Sequence, residues 1–121
     1  MDHERILLAE SHDGYRQVTR RQLERAGHTV VAETGTLRNL RRIMATDNVL
    51  FRVAVISSHL PRMGDGEEAA KLVYRLRPEV VVVSYSGLQH QTFGKFNVYK
   101  GDGHEVLLET IKNSQFPKTK P

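Results

Sequence analysis

Five short apolar runs, each separated from the next by a polar or amphipathic stretch, constrain this chain more than any other feature. Ile6-Leu-Leu-Ala9, the segment 28–33 with Thr29, Val30 and Val31, the segment 52–57 with Val53-Ala-Val-Ile56, Val80–Val83 and Asn97–Tyr99 read as strands. Helical spacing fills most of the gaps. Tyr15, Val18, Leu23 and Ala26 share one face of a helix over 13–26, which Gly27 stops and Ser11 or Asp13 caps. Leu37, Leu40, Ile43 and Met44 make an apolar stripe behind a Thr36 cap, with Arg38, Arg41 and Arg42 largely off it. A third helix spans 67–76 and ends before Pro78, and a last one spans 105–112. Alternating strands and helices predict a parallel sheet inside a three-layer α/β domain. Val80–Val83 is the most apolar run and is placed centrally in that sheet.

One connection breaks the alternation. About ten residues, Gly87 to Phe96, separate the fourth run from the fifth. A parallel crossover usually takes a dozen or more. A full helix does not fit there, so one or two helical turns at most, or an irregular loop, are expected.

Composition narrows the class further. The 121 residues suffice for one domain with its own core. The absence of cysteine excludes disulfides and thiolate metal sites. No apolar run approaches the roughly 20 residues of a membrane helix, and the polar MDHER start is not a signal peptide. A cytoplasmic protein with no membrane contact is the expectation. The formal charge is +4, but it is uneven: from Gly14 to Arg62, nine arginines stand against Glu24, Glu33 and Asp47. Such a run suits an acidic partner or a solvated helix face. Aromatics do not interleave with it and no helix-turn-helix follows residue 113, so nucleic-acid binding by this domain is not expected.

In an open parallel sheet the ligand crevice lies beyond the carboxyl ends of the strands. Those ends carry Glu10, Ser11, His12 and Asp13; then Ser57, Ser58 and His59; then Ser84 and Ser86; then Lys100. In order, ILLAESHDGYR, VAVISSHLPRMGDG, RPEVVVVSYSG and VYKGDG resemble the receiver (CheY-like) domain of two-component response regulators, over residues 5–113. The resemblance implies a flavodoxin-like sheet in the order 2-1-3-4-5 in one domain over 1–113; the short gap after the fourth strand leaves the fourth helix shortened or absent, and the polar, Pro- and Lys-rich stretch 114–121 reads as a frayed tail. The resemblance also implies a role in signalling or transcriptional regulation.

The departures from the family pattern bear on function. The family's phosphoacceptor aspartate aligns with Ser57, and its two adjacent acids align with Glu10 and Ser11. The hydroxyl residue aligns with Ser86, the lysine with Lys100 and the signalling aromatic with Tyr99. An aspartate forms the acyl phosphate as a carboxylate nucleophile, and magnesium wants carboxylate oxygens. Ser57 and Ser11 supply neither. The resemblance therefore implies a degenerate, non-phosphorylatable receiver with weak or absent magnesium binding and no other cofactor. Lys100 is expected to pair with Glu10 rather than point into solvent. His12 and His59 could join Glu10 or Asp13 around a transition metal, but they are expected to be ordinary loop histidines, with no metal site. Ser57 lacks the glycines of a nucleophile elbow, so no enzyme is expected.

Two functional readings follow. The first is a protein–protein interaction or dimerisation module whose contact surface is remodelled around Leu88, Phe93, Phe96 and Tyr99. Phe93 and Phe96 serve there either as anchors or as core closure. The alternative is an orphan domain holding a small anion or other ligand at the former pocket through Ser57, Ser86 and Lys100.

Overall fold

The computed structural model describes residues 3–46 and 48–114. The 115–121 part of the expected tail lies outside them, and Ser114 closes the last helix. Five strands, β1 (Arg5–Ala9), β2 (Thr29–Thr34), β3 (Val53–Ile56), β4 (Val81–Ser86) and β5 (Phe96–Tyr99), form one parallel sheet in the order β2-β1-β3-β4-β5. Four helices pack on it: α1 (Asp13–Arg25), α2 (Leu37–Met44), α3 (Asp65–Leu76) and α4 (His104–Ser114). The expected fold class and strand order are those observed.

Strand pleating sorts the core into two layers. Leu7, Ala9, Ala54, Ile56 and Val82 face α2 and α3, where they meet Leu40, Met44, Ala69, Ala70 and Val73. Ile6, Leu8, Val53, Val55, Val83 and Tyr85 face α1 and α4, where they meet Leu23, Leu107 and Ile111. Burial of such side chains contributes roughly 1.5–3 kcal/mol each and holds the three layers together. β3 takes the middle of the sheet. The more apolar β4 is interior but one place from the edge, because β5 adds only a single short strand beyond it.

The connection from β4 to β5 contains no helical turn; residues 87–95 form an irregular loop of bends with one turn at 89–90. The register explains how so few residues suffice. β5 pairs only with the last part of β4, Phe96 opposite Val83 and Tyr99 opposite Ser86. The chain therefore retraces three residues of strand, about 10 Å. His90 turns with φ 66°. The returning chain is fastened by Lys95 N–H donating to the Val82 carbonyl at 2.8 Å. Asn97 completes the turn, accepting from Ser84 Oγ at 2.7 Å and from Gly94 N–H at 3.0 Å. Phe93 packs into the α2–α3 layer and Phe96 into the α1–α4 layer. Phe93 thus closes core on the face where a right-handed β4–β5 crossover helix would lie, whereas Phe96 packs on the face that α1 and α4 already cover.

Candidate functional site

The strand order reverses between β1 and β3, and the crevice above their carboxyl ends is polar. Glu10 leaves β1 buried. Its Oε1 accepts from Lys100 Nζ at 2.6 Å, and its Oε2 accepts from His12 N–H at 3.0 Å. The side chains of Glu10 and Lys100 are only 6% and 20% exposed, so the pair is largely desolvated. Lys100 opens a single 3-10 turn, Lys100–Asp102, directly after β5, and this brings its ammonium back over β1. The same ammonium lies 4.4 Å from the centroid of the Tyr15 ring, a cation–π contact from α1. The expected pairing of Lys100 with Glu10 is therefore present.

The serines divide differently from the expectation. Ser57 is buried, and its Oγ has one long contact, 3.5 Å from the His59 N–H. It is the next residue, Ser58, whose hydroxyl lies 2.9 Å from Ser86 Oγ and 3.1 Å from His59 Nδ1. Ser86 Oγ also accepts from Leu88 N–H at 2.9 Å, so Ser58 and Ser86 stitch the ends of β3 and β4 to the loop that follows. Ser11 is half-buried and makes no side-chain hydrogen bond among the described residues.

Neither expected cap is used at the start of α1. His12 caps it, with Nδ1 accepting from Tyr15 N–H at 3.0 Å. Asp13 turns outward to Arg16 at 2.8 Å, while Arg16 also donates to the Glu10 backbone carbonyl at 2.7 Å. With His12 capping, His59 bonded to Ser58 and Asp13 in solvent, no three His, Asp or Glu side chains converge as a metal site among the described residues.

Sequence reasoning missed an aromatic cluster beneath the ion pair. Tyr15 donates to the Tyr85 hydroxyl at 3.0 Å. His104, at the start of α4, stacks on Tyr15 at 5.4 Å between centroids and contacts Tyr85 at 5.8 Å, while its Nε2 bonds Thr19 Oγ1 at 3.2 Å. Burial, then the adjacent Tyr15, holds the Tyr85 phenol far above its ordinary range, so it stays a neutral hydroxyl. Burial, then the Lys100 charge, lowers the His104 pKa, which favours neutral imidazole beside the ammonium. These side chains come from α1, β4 and α4, and each looks in sequence like an ordinary core aromatic or a helix-end histidine.

At the far side of the sheet, Leu88 and Tyr99 line one shallow hollow of about 270 Å³ together with His90, Gln91 and Asn97. Tyr99 lays its ring over Gly101, where an added Cβ would lie 2.2 Å from the ring. Phe93 lies in a neighbouring hollow with Glu67 and His90. The four residues expected on a contact surface thus divide: Leu88 and Tyr99 share a rim, whereas Phe93 and Phe96 pack on opposite faces of the sheet.

No protein-family model and no curated protein matches the sequence. Solved structures do. A CheY-like response regulator receiver domain protein from Methanospirillum hungatei JF-1 superposes with a TM-score of 0.79 at 23% identity, covering 92% of both chains. The isolated REC domain of RcsB from Salmonella enterica serovar Typhimurium, solved in the presence of phosphomimetic BeF3-, gives 0.82 at 17% identity over 98% of this chain and 92% of its own. A LuxR-family two-component response regulator from Aurantimonas sp. SI85-9A1 gives 0.78 at 24% identity over 92% and 84%. The fold is the CheY-like receiver fold.

Proposed function

We propose that this chain is a receiver-like module that accepts no phosphoryl group and acts in signalling or regulation through protein contacts. One observation carries the reading. At the end of β3, where a receiver presents its phosphoacceptor aspartate, stands Ser57 with a buried neutral hydroxyl, and the buried carboxylate nearby, Glu10, is already closed on Lys100. A hydroxyl forms no acyl phosphate, and a carboxylate committed to an ammonium offers magnesium little charge. The anion-holding alternative is less well supported. Its cation is paired with Glu10 and its Ser86 hydroxyl is taken by Ser58 and Leu88.

Incubation with acetyl phosphate and magnesium is expected to leave the intact mass unchanged. Ser57→Asp alone is expected to restore little phosphorylation, and Ser57→Asp with Ser11→Asp more, because the second carboxylate rebuilds the metal's ligand set. A phosphate adduct on the unaltered chain would overturn the proposal.

The contact surface belongs in this reading to residues 88–100. With no helix over the loop, Leu88 is left 38% exposed beside Tyr99, and β5 is one of the two edge strands of the sheet. Self-association or partner binding, measured by sedimentation, is expected to fall sharply for Leu88→Glu, an exposed position, and to change little between low salt and about 0.5 M salt. Binding that ignores Leu88→Glu but vanishes in salt would place the contact elsewhere.

A further inference from the structure

The arginines counted together in sequence divide between the two faces of the sheet. On α1, Arg16 and Arg20 are neutralised by Glu33, 3.1 and 2.6 Å away, and Arg16 also by Asp13. On α2 no acid shares the helix, and Arg38, Arg41 and Arg42 are exposed with no ion pair among the described residues. Arg38 and Arg41 line a groove of about 280 Å³ against Arg62 of the loop before α3. Leu37, Leu60 and Pro61 supply its apolar lining. The two walls are fastened by Leu37 N–H donating to the Leu60 carbonyl at 2.9 Å, so the groove is part of the folded frame.

We propose that this groove docks a short acidic segment of a protein partner. Carboxylates pair with Arg38, Arg41 and Arg62 while an apolar side chain between them covers Leu37 and Pro61. Guanidinium forks suit carboxylates in two-point contacts, and unpaired cations around an apolar patch give both steering and a desolvated anchor. Nucleic acid fits less well. Asp65 stands in the lining with its carboxylate accepting from Arg62 N–H at 3.1 Å, and it disfavours a peptide carboxylate and a phosphate alike, so the choice rests on the other features of the groove. No aromatic lines the groove for base stacking, and α1's basic residues lie across the sheet, so no continuous track forms. This surface is independent of residues 88–100.

The test uses the full chain and fluorescence anisotropy with a labelled peptide of alternating glutamate and leucine. A glutamine–leucine peptide and single-stranded oligothymidylate serve as comparators. Saturable binding of the glutamate peptide alone is expected, weakened about tenfold or more by Arg38→Glu with Arg41→Glu. The same charge change on α1, Arg21→Glu with Arg25→Glu, is expected to weaken it less than about threefold. Arg38→Ala with Arg41→Ala, a milder pair, repeats the comparison if circular dichroism shows the reversed pair unfolded. Leu88→Glu leaves this binding unchanged, which separates it from the loop surface. No saturable binding of the glutamate peptide, equal losses from both helices, or tighter binding of oligothymidylate would overturn the proposal.

Discussion

Gly66→Ala is expected to destabilise the protein by about 3 kcal/mol or more, the range of overpacked backbone contacts rather than of surface changes. The sign is the informative part. Gly66 stands in the first turn of α3, where helix propensity alone favours alanine by about 1 kcal/mol. Its absent side chain lets that turn press on the strand end: an added Cβ would lie 2.0 Å from the Ser57 carbonyl oxygen and 2.7 Å from Ser58 Cα. Gly66 N–H donates to the Ser58 carbonyl at 3.1 Å, so helix and strand end cannot part without losing that bond. Two other glycines bracket the effect. Gly64 has open space but φ 93°, and Gly64→Ala is expected to cost about 1–2 kcal/mol for the left-handed backbone. Gly87 has neither neighbour nor positive φ, and Gly87→Ala is expected to stay within about 0.5 kcal/mol. Thermal or urea unfolding of the three variants measures the order directly. A neutral or stabilising Gly66→Ala would mean that α3 does not sit against Ser57 as described.

That contact also shows what a sequence exposes and what it hides. The sheet was legible because each strand is a short apolar run bounded by polar residues, and the two-sided burial of Val53–Ile56 follows from its unbroken hydrophobicity. The missing fourth helix was legible from length alone, since the segment is too short to hold one. Glu10 and Lys100 were legible as the remaining opposite charges at the carboxyl ends of the strands. The choice between Ser57 and Ser58 was not. Adjacent residues of an extended chain point to opposite sides, and which one meets Ser86 depends on the packing of the turn against α3. His12 as a helix cap was hidden for another reason: Ser11 and Asp13 beside it are stronger cap formers by type. The cluster of Tyr15, Tyr85 and His104 gathers residues from three distant stretches of the chain in no periodic pattern, so nothing local announced it.

Lys100→Met is the second change with a large expected effect, about 3–5 kcal/mol, because it removes the cation from a carboxylate that has little water of its own. Methionine keeps an apolar stem against Tyr15, so the loss reports charge rather than volume. The lost cation–π contact with that ring adds a smaller share, about 0.5–2 kcal/mol. Glu10 retains only the His12 N–H as a partner for its charge, and a buried carboxylate held by a single amide is poorly compensated. If that account holds, neutralising the acid rescues the variant: Glu10→Gln with Lys100→Met is expected within about 1 kcal/mol of the unaltered protein, since a desolvated ion pair gains little over a neutral one. Urea unfolding of the four proteins closes a double-mutant cycle whose coupling energy belongs to the pair. The result also bears on function. In the proposed reading, this pair and the Tyr15 ring beside it hold Lys100 against Glu10 in place of a phosphate-driven switch. A Lys100→Met variant that unfolds like the unaltered protein would mean that water reaches Glu10, and that the carboxylate is free for a cation or ligand after all.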